Sequence, residues 1–187
     1  MPIMIALLRG INVGGHHKIK MDDLRKLCEG LKLLNPQTYV QSGNIVFSTD
    51  EKDAARVAKR MEEAIERKFG FHADVVVRTT RDLKDTIARS PFASRNGLEP
   101  GKLIVTFLAC DLAKEKCAGI LAIKASREEV KLGKRELYIY YPDGMGKSKL
   151  VPALDRVLEK TGTARNWNTV TKLLELAEAM EAAGKAQ

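Results

Sequence analysis

The fold prediction depends on the stretch Ile5-Ala6-Leu7-Leu8-Arg9-Gly10-Ile11-Asn12-Val13-Gly14-Gly15-His16-His17-Lys18. In this stretch an apolar strand runs straight into a polar loop. The loop contains Gly10, Gly14 and Gly15, and a helix is expected after it. The strand expected over residues 3–12 is apolar on both faces, which is typical of a central strand covered on both sides. We therefore expect the middle of a sheet here, with a polar loop at one end.

The first half of the chain predicts the element order βαββαβ. The expected elements are strand 3–12, helix 21–33, strands Thr38–Gln41 and Ile45–Ser48, helix 52–69 and strand 73–79. Asn35-Pro36 is expected to end the first helix. Ser42-Gly43-Asn44 has the composition of a tight turn between two strands.

The second half predicts βαββα and then a terminal helix where a fourth strand would stand. The expected elements are a short helix 81–90, strand 102–109, helix 112–123, strands 129–132 and 136–141, helix 149–160 and helix 169–183. We predict the α+β class, with tandem ferredoxin-like (βαββαβ) units and antiparallel sheets. The predicted units are residues 1–80 and 102–187, joined by a connector over 81–101 in one compact body.

This topology predicts a polar cluster at one sheet edge. The first and third strands of a ferredoxin-like unit are central antiparallel neighbours, so the end of the first lies beside the start of the third. The candidate ligand-binding residues there are Arg9, Gly10, Asn12, Gly14, Gly15, Lys18, Ser42 and Asn44. Basic side chains, amides and glycine N–H groups ahead of a helix suit a phosphate or carboxylate. Alternatively, the glycines only shape a turn and Arg9 forms a structural ion pair.

Three segments carry a resemblance to a known family. They are Leu8-Arg9-Gly10-Ile11-Asn12-Val13-Gly14-Gly15, Thr38-Tyr39-Val40-Gln41-Ser42-Gly43-Asn44 and Arg165-Asn166-Trp167-Asn168-Thr169-Val170. In order and spacing the chain resembles the bacterial domain-of-unknown-function family 1697 over nearly its whole length. The resemblance implies the tandem ferredoxin-like fold, and it implies no activity, cofactor or catalytic residue.

Arg165, Asn166 and Trp167 join the candidate site through this resemblance. In the functional interpretation, Arg165 reaches an anion and Trp167 stacks on a ring. In the structural interpretation, Asn166 or Asn168 caps the last helix and Trp167 packs as a hydrophobic staple.

Gly144-Met145-Gly146-Lys147-Ser148 is similar to the end of a P-loop, but the first glycine of that motif is replaced by Tyr141. We expect a turn with a solvated Lys147, or an accessory phosphate contact by that lysine.

Tyr138, Tyr140 and Phe107 share one face of the second expected sheet. They could stack nucleic-acid bases or pack between sheets.

The composition favours anionic partners without naming one. The net charge is +8 and the pI about 9.4, although a solvated, mildly basic surface is the alternative. No apolar run approaches the ~20 residues of a membrane span. Cys28, Cys110 and Cys117 form neither a disulfide framework nor a CxxC pattern, which fits the reducing cytoplasm. The adjacent pair His16-His17 does not suit one metal ion, so no metal site is expected.

Three functions follow from these patterns. The first is binding of a small phosphorylated or other anionic ligand at the strand–loop–helix edge. If this site were catalytic, Arg9, Lys18 and backbone N–H groups would act by electrostatic stabilisation, since no nucleophile or base stands out. The second is nucleic-acid binding through the basic surface. The third is a structural or interaction module.

Overall fold

The computed structural model describes residues 1–159 and 161–185. The strands and helices, in chain order, are β1 (Ile3–Leu8), α1 (Met21–Gly30), β2 (Leu34–Tyr39), β3 (Asn44–Ser48), α2 (Ala54–Phe69), β4 (Val75–Thr79), α3 (Thr80–Ala88), β5 (Leu103–Phe107), α4 (Lys114–Leu121), β6 (Glu129–Leu132), β7 (Glu136–Tyr140), α5 (Leu150–Val157), β8 (Thr163–Asn166) and α6 (Trp167–Lys185).

The strands form two four-stranded antiparallel sheets, in the orders β2-β3-β1-β4 and β6-β7-β5-β8. The second order repeats the first, with the central strands β1 and β5 each flanked by the third and fourth strands of its own unit. This is the ferredoxin-like arrangement, so the predicted α+β class with tandem βαββαβ units is confirmed.

The first sheet packs α1 and α2 against one of its faces. Met4, Ala6 and Leu8 of β1 lie in that core, and Leu24 and Met61 contribute to it from the helices. Alternate residues of a strand point to opposite faces, which puts these three side chains on the same side. Both ends of α2 are capped. The Asp53 side chain accepts hydrogen bonds from N–H groups of the first turn, and Gly70 ends the helix with φ +76°.

The strand β2 begins earlier than the sequence predicts. Asn35-Pro36 was expected to end the first helix, with a strand from Thr38, yet α1 ends at Gly30 and both residues belong to β2. This strand is at the edge of the sheet, where a proline does not remove a ladder hydrogen bond from the interior. The register against β3 shifts between Leu34 and Gln37, which accommodates the proline.

The expectation of a terminal helix in place of a fourth strand is wrong. Residues Thr163–Asn166 form β8, which pairs with β5 through Ile104↔Asn166, Val105↔Arg165 and Thr106↔Ala164. The sequence Thr-Ala-Arg-Asn has no apolar alternation, so its extended conformation depends on the ladder with β5.

The chain divides into two compact units. The first comprises Met1–Lys84 and the C-terminal segment that begins at Lys172, and the second comprises Asp85–Thr171. The sequence placed the whole of residues 102–187 in the second unit, whereas α6 is shared between the two. Within the first unit, Lys84 Nζ lies 2.9 Å from Glu178 Oε1 and ties the start of α3 to this part of α6.

The cysteines are free thiols: Cys110 is exposed, and Cys28 is buried under the first sheet. Burial raises the pKa of Cys28 to about 12 and leaves it protonated. Among the described residues, no helix combines the length and the apolar character that a membrane span requires.

Candidate functional site

The end of β1 lies beside the turn between β2 and β3. Leu7 pairs with Asn44, and the Leu8 N–H donates to the Gly43 carbonyl at 2.8 Å. The fold therefore brings Arg9 to the same sheet edge as Ser42-Gly43-Asn44, as the topology predicts.

Asn12 braces the loop after β1. Its Nδ2 donates to the carbonyls of Ile19 at 3.0 Å and Gln41 at 2.8 Å, while the Ile19 N–H donates to Oδ1 at 2.9 Å. One side chain thus joins the two ends of the loop and fastens both to the β2–β3 turn. Its own backbone has φ +55°, a conformation that asparagine adopts more readily than most residues.

Gly14 and Gly15 form the tip of a tight turn. The His16 N–H donates to the Val13 carbonyl at 3.0 Å, and the glycines have φ of +58° and +81°. Positive φ at both central positions is the requirement of a type I′ turn. The helix α1 begins only at Met21, so the glycines do not lie directly ahead of it.

Asn44 faces into the fold. It is fully buried, and its Nδ2 donates to the Tyr39 carbonyl and to Ser42 Oγ, both at 2.9 Å. The amide thus closes the β2–β3 turn and is directed at its own backbone.

Arg9 lies beside the carboxylate of Asp74, a residue that was not predicted to belong to the site. Its Nη1 is 3.8 Å from Asp74 Oδ2, and its backbone N–H donates to the Asp74 carbonyl at 2.9 Å. On the other side of Asp74, Oδ1 is 3.0 Å from His72 Nε2, and this hydrogen bond raises the pKa of His72 above its ordinary value. The sequence position of Asp74 could have indicated this contact, because Asp74 immediately precedes β4 and β4 is the other neighbour of β1 in the sheet.

A cavity of about 720 Å³ opens beside this loop. Its lining residues are Asn12, Gly15, Lys18, Ile19, Lys20, Met21, Asp22, Asp23, Gln41 and Phe69. Lys18 and Lys20 are exposed and form no ion pair within the described part of the chain, whereas Asp22 is paired with Arg25. Arg9, Ser42 and Asn44 are not among the lining residues.

The segment Arg165-Asn166-Trp167 belongs to the second unit, where it joins β8 to α6. Arg165 is buried, and its Nη1 donates to Thr163 Oγ1 and the Ala164 carbonyl, both at 2.8 Å. Burial lowers the pKa of its guanidinium to about 10. Asn166 Oδ1 accepts from the Thr169 N–H at 2.9 Å, so the predicted helix cap is present.

The aromatic residues of β5 and β7 are not available for base stacking. Tyr138 and Phe107 are 1% and 0% exposed, and the Tyr138 hydroxyl donates to the Thr86 carbonyl at 2.7 Å. Tyr140 is 9% exposed and lies near Phe92. These side chains are packing residues, which was the alternative to RNA recognition.

No group of three or more histidine, cysteine, aspartate or glutamate side chains could hold a metal ion among residues 1–159 and 161–185.

Comparison with known proteins agrees with the geometry. A family described as proteins of unknown function (DUF1697) matches residues 1–138. The chain belongs to this family. The match contains the loop after β1 and the β2–β3 turn, and it ends in β7, so it does not include Arg165-Asn166-Trp167.

A solved structure of similar fold is the conserved bacterial protein SP0830 from Streptococcus pneumoniae. It has a TM-score of 0.78 and 23% sequence identity, and the similarity covers 94% of this chain and 98% of that one. The likeness concerns the fold alone. A search of curated proteins found no match to this DUF1697 protein.

Proposed function

We propose that the first unit binds a small phosphorylated or otherwise anionic ligand in the cavity beside the loop that follows β1. The observation that carries this proposal is the pair of exposed lysines, Lys18 and Lys20, which line a cavity of about 720 Å³ without an ion-pair partner among the described residues. Its volume falls within the ~300–1,000 Å³ typical of small-molecule sites.

The loop between β1 and α1 supports the proposal, because the hydrogen bonds of Asn12 hold the backbone around Lys18 and Lys20 in place before a ligand binds. Asn12 ties the loop to Ile19 and Gln41 with three hydrogen bonds, and both Asn12 and Gln41 line the cavity. A site that is ordered in advance loses less conformational entropy on binding.

The remaining lining narrows the class of ligand. Asp22 is neutralised by Arg25, but Asp23 also borders the cavity, and Phe69 supplies an aromatic wall. A carboxylate beside two ammonium groups suits a ligand that carries hydroxyl or amino donors as well as its anionic group. A phosphorylated metabolite of modest size meets these requirements.

A thermal-shift screen of phosphorylated metabolites and nucleotides tests the proposal. A ligand at about 100 times its Kd stabilises the folded protein by about 2.7 kcal/mol, or about 5–10 °C for a chain of this size. The double variant Lys18→Gln/Lys20→Gln should lose most of that shift. Lys52→Gln/Lys59→Gln removes the same charge from exposed positions outside the cavity lining and should retain it.

Arg9 lies outside the cavity lining and its charge is paired with Asp74, so Arg9→Ala should reduce the shift much less than the loss of both lysines. The proposal fails if no compound stabilises the wild-type protein, or if the two double variants respond alike.

A further inference from the structure

The loop that joins β7 to α5 is longer than its counterpart in the first unit. The strand order makes β3 and α2 the counterparts of β7 and α5. In the first unit the connection is Thr49–Asp53, and Asp53 caps the helix; in the second it is Tyr141–Lys149, and Lys149 makes no capping hydrogen bond. Because the shorter loop closes the same topology, the added residues are not required by the fold.

This longer loop borders a cavity of about 350 Å³, together with the connection between α4 and β6. The charged residues that line it are Lys124, Arg127, Glu128, Asp143, Lys147 and Lys149. Basic side chains therefore outnumber acidic ones around the cavity.

Both acidic side chains are engaged in shaping the loops. Glu128 Oε2 accepts from the backbone N–H groups of Ser126 at 2.9 Å and Arg127 at 3.2 Å, and Ser148 Oγ donates to Oε1. The Ser148 hydrogen bond is the main reason that the pKa of Glu128 is lowered. Asp143 Oδ1 lies 2.7 Å from Arg127 Nη1. Asp143 is thus paired with a cation, whereas Glu128 is held by neutral donors and keeps its single negative charge at the cavity.

Three of the four basic side chains around the cavity have no acidic partner among the described residues. Lys124, Lys147 and Lys149 are exposed, and none of them forms an ion pair with any residue that the structure describes. The cavity is therefore electropositive, which favours an anion.

Tyr141 supplies a hydroxyl group to this cavity. Its ring packs in the core of the second sheet with Ile139 and Leu150, and the residue is only 2% exposed, yet it also borders the cavity. Its hydroxyl forms no hydrogen bond with the described residues and is not one of their buried unsatisfied groups, so it is open to a ligand in the cavity. Burial raises its pKa to about 12, so the hydroxyl is a donor at neutral pH.

We propose that this cavity is a second anion site, which binds the phosphate group of a small phosphate monoester. Lys124, Lys147 and Lys149 supply the positive charge, and the Tyr141 hydroxyl donates a hydrogen bond to a phosphate oxygen. A volume of about 350 Å³ is near the lower end of the range for small-molecule sites and suits a compact ligand. The site lies wholly in the second unit and does not depend on the ligand proposed for the first.

A site-resolved titration of the full chain with inorganic phosphate tests this proposal. Amide chemical shifts are followed by NMR at constant ionic strength, and the amides of Gly144, Gly146 and Ser148 should move together. Lys147→Gln/Lys149→Gln should weaken the affinity that they report by at least about tenfold, since each lysine makes a charge-assisted contact. Lys131→Gln/Lys134→Gln removes the same charge from exposed positions of the second unit and should leave the affinity unchanged.

Tyr141→Phe removes only the hydroxyl and should weaken phosphate binding about 3–10-fold, the effect of one hydrogen bond. If Tyr141→Phe does not fold, the phosphate affinity of Lys147→Gln/Lys149→Gln tests the proposal by itself, because both lysines are exposed. Unchanged affinity in Lys147→Gln/Lys149→Gln, or phosphate shifts confined to other segments, would overturn the proposal. Lys18→Gln/Lys20→Gln should keep the response at Gly144–Ser148, which separates this site from that of the first unit.

Discussion

Gly43 shows at the scale of one residue how the turn and the first strand constrain each other. Its φ is +75°, and a Cβ there would lie 2.7 Å from Leu8 Cβ and 2.8 Å from Ile11 Cδ1. We expect Gly43→Ala to lower the free energy of unfolding by about 2–5 kcal/mol, through left-handed strain together with overpacking. Urea denaturation monitored by circular dichroism measures the loss.

Gly14→Ala is the matched control for this prediction. Gly14 also has positive φ, +58°, but a Cβ there would meet nothing closer than His16 Cδ2 at 3.9 Å. Only the backbone strain remains, about 1–2 kcal/mol. Equal losses in the two variants would contradict the packing argument for Gly43.

His72 carries a prediction about pH. Its hydrogen bond to Asp74 raises its pKa above 6.5 in the folded state. A raised folded-state pKa contributes stability that is fully present below the unfolded pKa and is lost as the pH rises through the folded pKa. His72→Gln should therefore lower the free energy of unfolding at pH 5.5 and leave it unchanged at pH 8.5. The loss should be below about 1 kcal/mol, because both side chains are about half exposed.

The same pair offers a direct measurement. An NMR titration of the His72 ring should give a pKa above 6.5 in the wild-type protein and a lower one in Asp74→Asn. A wild-type value at or below 6.5 would show that the carboxylate does not hold the imidazolium.

At the scale of elements, the two units repeat one strand-to-helix junction. Arg78 pairs with Ile5 in β1 and Arg165 pairs with Val105 in β5, and the Nη1 of each arginine donates to the preceding carbonyl. Thr79 then accepts from an N–H in the first turn of α3, as Asn166 does in α6. Arg165 and Asn166 therefore form, in the second unit, a junction like the one that Arg78 and Thr79 form in the first.

This junction predicts the effect of removing its cap. Asn166→Ala should lower the free energy of unfolding by about 1 kcal/mol, because the Thr169 N–H loses its acceptor. Asn168→Ala, which changes an exposed asparagine two residues later, should cost less than about 0.5 kcal/mol. Chemical denaturation of both variants makes the comparison, and the reverse order would contradict the assignment of the cap.

At the scale of the whole molecule, the net charge of +8 bears on nucleic acids. Because Tyr138 and Phe107 are buried and cannot stack on bases, we expect the sequence-independent attraction to phosphates to dominate, with a Kd of about 10⁻⁴–10⁻⁶ M. We expect oligonucleotide binding, measured by fluorescence anisotropy, to be weak at 50 mM salt and lost at 200 mM. Tight binding that persists at 200 mM salt would support the nucleic-acid alternative and count against a small-molecule site.

The sequence alone predicted the tandem ferredoxin-like fold and the approach of Arg9 to Ser42-Gly43-Asn44. Two apolar faces mark β1 as a central strand, and a helical period of apolar residues marks α2; both signals are local and strong. It also named Asn166 as one of two candidate caps, and the structure selects Asn166, because an N-cap is a property of a few adjacent residues.

Only the tertiary structure decided what the polar residues do. Asn12 donates to the Gln41 carbonyl, 29 residues away in sequence, and Asn44 is buried with its amide directed at the Tyr39 carbonyl. The strand β8 pairs with β5 although its four residues have no strand pattern of their own. Of the predicted site residues, Asn12, Gly15 and Lys18 line the cavity, Arg9, Ser42 and Asn44 do not, and Lys20 joins the lining without having been predicted. Side-chain pairing and cavity shape depend on which distant segments meet in space, and residue types alone do not specify that.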